Sequence, residues 1–130
     1  MAAKRPASAA PGVAEAVGYA EAVVAGRTPA GRLARLACER FLQDKAAADA
    51  GTGPWGFEPG LVEAALLFAG QMPNIKGPEA GRPLRLMAWQ RFVFANLFGF
   101  TERGTATRRF RQAVVYVPRE PVAEWLGVVV

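Results

Sequence analysis

The sequence predicts a mainly α fold, about four helices followed by one strand, with a tail that forms either a short helix or a pairing strand. Three observations carry this. Four stretches place apolar residues at helical spacing, Gly and Pro punctuate the intervals between them, and the one strong β-branched run lies near the end, at Val114-Val115-Tyr116-Val117. A chain of 130 residues, 52% hydrophobic and 21% charged, suits one globular domain with a real core.

Met1 to Gly12 is rich in Ala and Pro, has no long hydrophobic segment, and is expected to be a flexible tail. The first helix is expected from Val13 to Ala25, with Val13, Val17, Ala20 and Val24 on one face and Gly26 as its stop. Thr28-Pro29 suits an N-cap and first-turn pair for a second helix, about Ala30 to Ala48. Its apolar stripe is Leu33, Leu36, Ala37, Phe41 and Ala48, with Arg35 and Glu39 four apart outside it and Asp44 and Asp49 on a solvated face. Gly51 to Gly56 is a loop by composition. A third helix runs from Pro59 to Gly70, burying Leu61, Ala64, Ala65 and Phe68, and a long loop from Met72 to Pro83 carries three Pro and two Gly. The fourth helix, Met87 to Phe98, is apolar nearly all round and expects partners on more than one side. Thr101 to Thr107 is a polar connection. The strand that follows is a continuous apolar run, which suits coverage on both faces, as in a parallel sheet. Beyond Pro118, a short helix over Val122 to Leu126 or a return strand through Gly127 to Val130 remain open.

Composition removes several chemistries. No histidine is present, which rules out Ser-His and Cys-His catalysis and His-ligated metal. Cys38 is the single cysteine, so no intrachain disulfide forms, a reducing compartment fits, and a buried structural role is expected of it. No catalytic residue and no metal ligand set can be named. The longest apolar stretch, around Leu61 to Phe68, is broken by Glu63 and falls far short of the roughly 20 residues a bilayer requires, so no membrane partner is expected.

The net charge is +5, and most of it sits in one segment. Arg103, Arg108, Arg109, Arg111 and Arg119 face only Glu102 between Thr101 and Arg119, and guanidinium groups suit bidentate phosphate contact. Gln90, beside Trp89, has an amide that matches the N6/N7 edge of adenine. No phosphate-binding loop follows the strand. Glu120-Pro121-Val122-Ala123-Glu124 has no glycine and no lysine, and it puts two acids where phosphate would sit.

Several stretches, taken in order, resemble the N-terminal part of the large terminase subunit of tailed bacteriophages. They are Tyr19 to Gly26; Leu36-Ala37-Cys38-Glu39-Arg40-Phe41-Leu42-Gln43-Asp44; Lys76-Gly77 with Gly81-Arg82-Pro83; Leu86-Met87-Ala88-Trp89-Gln90-Arg91-Phe92; Leu97-Phe98-Gly99-Phe100; Arg108-Arg109-Phe110-Arg111; and Val114-Val115-Tyr116-Val117-Pro118-Arg119. The resemblance spans about residues 13 to 119 and implies a DNA-packaging ATPase and endonuclease. It implies double-stranded phage DNA, the small terminase subunit and the portal as partners, ATP and Mg as cofactors of the full-length family, and the cytoplasm of a bacterial host, phage or prophage encoded. It makes Trp89 and Gln90 the adenine-recognising element, the strand the first of the ATPase sheet, and Arg119 the first residue of the Walker A loop. The family's Lys-Asn-Gly-Lys-Ser is absent after Arg119, and residues 120–130 form a divergent tail, so the expectation is a truncated, catalytically silent portion with no cofactor of its own. The competing expectation is a small basic helical module that binds nucleic acid or a protein partner through the arginine segment.

Overall fold

The computed structural model describes residues 10–75, 77–116 and 127–129. Among them are four helices, α1 (Pro11–Val24), α2 (Arg32–Asp49), α3 (Pro59–Gly70) and α4 (Ala88–Gly99), and four three-residue strands, β1 (Trp55–Phe57), β2 (Phe100–Glu102), β3 (Val114–Tyr116) and β4 (Gly127–Val129). The fold is mainly α, as expected.

The helix ends follow local chemistry. α1 begins at Pro11, two residues before the expected start, because proline at the first turn has no N–H to satisfy and its fixed φ already fits the helix. Pro11 and Gly12 are therefore helical rather than part of a tail; residues 1–9 lie outside the described residues. Gly12 is needed here, since a Cβ would run into Leu66 of α3. Glu63 Oε1 accepts the Val13 N–H at 2.9 Å, so a carboxylate from another helix satisfies an orphan donor of α1. At the other end Gly26 (φ 78°) closes a Schellman motif: its N–H donates to Val23 and that of Arg27 donates to Ala22. Gly51 ends α2 in the same way. Thr28-Pro29 does not cap α2. Gly31 stands at its N-cap, and the segment before it is occupied by the turn that ends α1.

The core lies where α1 meets α2 and α4 and where α4 also meets α3, so the all-round apolar α4 has the several partners it requires. Four rings sit at its centre. Phe41 meets Phe92 edge-on at 5.2 Å, and also Phe57 and Phe100 at 6.2 and 6.0 Å. Phe57 and Phe100 are themselves paired, 5.1 Å apart. This ring cluster explains β1 and β2, which fall where loop and polar connection are expected. The two strands pair antiparallel, Phe57 opposite Phe100 and Trp55 opposite Glu102, because burying the two phenylalanines brings their backbones together.

Three expected buried faces are turned. α1 buries Val13, Ala16, Ala20 and Val23, leaving Val24 exposed. α2 buries Ala34, Ala37, Cys38, Phe41 and Ala48, leaving Leu33 and Leu36 outside. α3 buries Val62, Leu66 and Ala69 and exposes Leu61, Leu67 and Phe68. Small residues line much of the contact between helices, and backbones approach closely only through such faces. The Arg35–Glu39 pair is not formed; the four-apart ion pair of α2 is Lys45–Asp49, at 2.7 Å.

The loop between α3 and α4 is a folded excursion. Pro73 bridges to Pro83, the Asn74 N–H donates to the Arg82 carbonyl, and the Leu84 N–H returns to Met72. β3 is not a parallel strand covered on both faces. It pairs antiparallel with β4, Val115 opposite Val128, and its side chains are exposed, because among the described residues the pair is the whole sheet. The return strand is thus the alternative that holds for residues 127–129. The short helix over Val122 to Leu126 falls outside the described residues.

Candidate functional site

Two places hold the residues singled out by sequence. The first is the start of α4. Gln90 occupies the third helical position, and its Oε1 accepts the Met87 N–H at 2.7 Å, closing one side of a capping box. Trp89 beside it is half-buried, and its indole N–H is buried without a partner among the described residues. Arg91, one residue on, pairs with Glu15 of α1 at 2.9 Å and holds this end of α4 against α1. A bidentate grip on adenine uses both the oxygen and the nitrogen of an amide. In this geometry the Gln90 oxygen already accepts the Met87 N–H, so an adenine N–H would share it or open the cap.

The second place is the arginine segment, and its members are not equivalent. Arg103 donates to three backbone carbonyls of the β1 approach, those of Gly53, Thr52 and Trp55, at 3.2, 3.2 and 3.0 Å. It is a clamp on the loop between α2 and β1. Arg109 reaches Asp44 of α2 at 2.8 Å, both side chains being about three-quarters buried or slightly more. Its guanidinium also lies over the rings of Phe110, Trp55 and Phe100, at 4.8, 5.4 and 5.6 Å. Asp44 is therefore not a solvated charge but the anchor of a residue 65 positions away. Arg108 lies over Phe98 at 5.3 Å and stays exposed. Arg111 is exposed, with no ion pair among the described residues. Arg119 lies outside the described residues. Two of the five arginines thus act as internal fasteners, and Arg108 and Arg111 are the two described members left facing solvent for an anion.

Asp44, Trp55 and Phe110 complete this arrangement and were not singled out by sequence. The signal for Asp44 was faint: it stands three residues after Phe41, at the edge of the buried stripe. An open depression lies between Asn74, Glu79, Arg82, Pro83 and Arg85, on the excursion before α4, and there Arg82 is spent on Glu79 at 3.2 Å.

The family resemblance implies Mg and ATP. The described residues bring no three His, Cys, Asp or Glu side chains together. The Gln90 oxygen accepts a cap bond, and Glu120-Pro121-Val122-Ala123-Glu124 supplies neither glycine nor lysine. Among the described residues these groups do not assemble a nucleotide–metal site.

Cys38 is fully buried, and that burial pushes its thiol pKa up to about 12, with Glu39 adding to the rise. Burial raises the Tyr19 phenol likewise, with Cys38 a secondary cause. A thiol held neutral in this way is no nucleophile. A disulfide reagent at pH 8 is expected to label Cys38 only as fast as the chain opens, so labelling should accelerate in step with urea. Rapid labelling of the native chain would contradict the burial. The folded pKa lies above the unfolded value of about 8.5, so the stability linked to this thiol is complete below that pH. It declines as pH rises from there toward about 12.

No helix among the described residues is long and apolar enough to cross a membrane. No family model, curated protein or solved structure matches the chain.

Proposed function

We propose that this chain serves as the N-terminal helical portion of a phage terminase large subunit, the ATP-driven machine that packages double-stranded DNA into capsids, and that by itself it does not hydrolyse ATP. The observation that carries the reading is β3. Val114, Val115 and Tyr116 form an apolar run suited to the interior of an α/β sheet, yet all three are exposed, at 53, 38 and 70%. A first strand of an ATPase sheet, paired only with the short β4, has this character. The ordered stretches from Tyr19 to Arg119 that resemble the family give it a second support. In this reading the helices form a platform, Arg103 and Arg109 fix the approach to the strand, and Arg108 and Arg111 face phosphate. The partners are double-stranded phage DNA, the small terminase subunit and the portal, in the cytoplasm of a bacterial host. ATP and Mg belong to the full-length motor.

Calorimetry with ATP and Mg tests this on two proteins. One is the chain as it stands. The other carries Glu120→Lys, Pro121→Asn, Val122→Gly, Ala123→Lys and Glu124→Ser, which rebuild a phosphate cradle after Arg119. No heat from the first and saturable heat from the second is the expected result. Heat from the unaltered chain would overturn its silence. Silence from both, with the rebuilt chain folded by circular dichroism, would remove nucleotide chemistry from the reading.

A further inference from the structure

The β3–β4 pair is held differently from the β1–β2 pair. β1 and β2 are tied by Phe57 and Phe100, two buried rings 5.1 Å apart. β3 buries none of its side chains: Val114, Val115 and Tyr116 are all exposed. Its close neighbour is β4, which pairs with it antiparallel over three residues and itself packs on α2. β3 therefore reaches the helical body chiefly through β4.

Such a pair is weak on its own. A two-stranded sheet without a buried face is marginal in water, and three paired residues share few ladder bonds. The covalent link through residues 117–126 compensates. A short link holds a strand at an effective concentration in the millimolar range, so a pairing too weak to form between separate molecules is populated within one chain. A strand held by its tether rather than by a buried side chain of β3 is one that another strand can replace.

The residues of β3 select what the replacement is. An edge built to refuse strands carries lysine, proline or an inward charge. Val114-Val115-Tyr116 carries none of these, and all three residues favour extended backbone. The edge under β4 offers a row of N–H and C=O groups at strand spacing, which only another extended peptide backbone matches throughout its length. From this we infer that the place of β4 is a strand-binding site, filled in cis by the tail, which takes an extended β-branched peptide segment by antiparallel addition to β3 once the tail strand is displaced. The tail is then an autoinhibitory strand, and its loss opens the site.

Fluorescence anisotropy tests this with a labelled peptide of the chain's own tail sequence, Leu-Gly-Val-Val-Val, residues 126–130. It is titrated with the unaltered chain and with the full-length variant Val128→Pro/Val129→Pro. Adjacent residues of a strand send their N–H groups to opposite edges, so one of the two prolines removes a bond to β3 whichever way β4 is set. The variant should bind the peptide saturably, and the unaltered chain at least about tenfold more weakly, because its own strand competes. A peptide with proline at both corresponding positions should bind neither protein. Circular dichroism checks that the helices persist, and a chain ending at Leu126, which lacks β4 altogether, should behave as the proline variant does. Failure of both helical variants to bind the peptide overturns the proposal. So does equal binding by variant and unaltered chain, or binding of the proline peptide, since either would place the contact away from the β3 edge.

Discussion

Phe41→Ala is expected to lower the unfolding free energy by about 3–5 kcal/mol, a large share of the ~5–15 kcal/mol a domain of this size holds. Phe41 is fully buried and meets Phe57, Phe92 and Phe100 edge-on, at 5.2 to 6.2 Å. Its removal loses the apolar transfer term and leaves a cavity walled by three rings that hold one another in place. Phe57 and Phe100 are pinned by the β1–β2 pairing and Phe92 by α4, so the site has little freedom to collapse. Urea unfolding followed by circular dichroism measures the change as a fall in midpoint at constant slope. A loss under about 1 kcal/mol, well below the range for Phe-to-Ala in a core, would mean that the ring cluster is not the centre of the core.

The second large effect is expected at Gly99, the last residue of α4. In an open helix, Gly to Ala gains about 0.5–1 kcal/mol. Here the sign should reverse. A Cβ at Gly99 would stand 2.8 Å from Phe57 Cζ and closer still to Cε2. The ring cannot step aside, because Phe100 is against it at 5.1 Å and Phe41 at 6.2 Å. Overpacking of this kind costs about 1–3 kcal/mol, so Gly99→Ala should be net destabilising. A double-mutant cycle with Phe57→Leu separates the causes. The smaller side chain should recover part of the loss, giving a coupling above about 0.5 kcal/mol. Strict additivity would show that the ring is not the obstacle.

Element existence was legible in the sequence because punctuation marks it. Gly26 and Gly51 at positive φ, Pro59 at a first turn and Gly70 at an end all stand where the helices start or stop. The faces were less legible, and α3 shows why. Of the residues Leu61 to Ala69 all but Glu63 are apolar or small, so no periodicity selects a side. Glu63, the natural marker of the solvent face, is instead turned to the α1 N-terminus. In α2 the leucines attract attention, but alanines and Cys38 are buried, since helices approaching closely have room for little else. β1 and β2 are three residues each, too short for a pattern. Only the meeting of Phe57 with Phe100, from distant parts of the chain, creates them.

The candidate site divides in the same way. That arginines gather between Arg103 and Arg111 is visible by counting. That Arg103 grips carbonyls at Thr52, Gly53 and Trp55, and that Arg109 is held by Asp44, depends on contacts across 48 to 65 positions. Surface charge carries no mark of its eventual partner. Gln90 illustrates the converse. Its amide suggests recognition, while its place three residues after Met87 is also the spacing of a cap, and the cap is the bond it makes.

The pairing of Phe57 with Phe100 also orders events in time. A chain leaving the ribosome lengthens by about 5–20 residues per second. α1, α2 and α3 all emerge before Phe92 and Phe100 exist, so Phe41 and Phe57 spend that interval without two of the rings they close on. Until residue 100 has been added, the first three helices have their shape but not their centre. Whatever attends the nascent chain meets its aromatic residues during that interval, before they are covered.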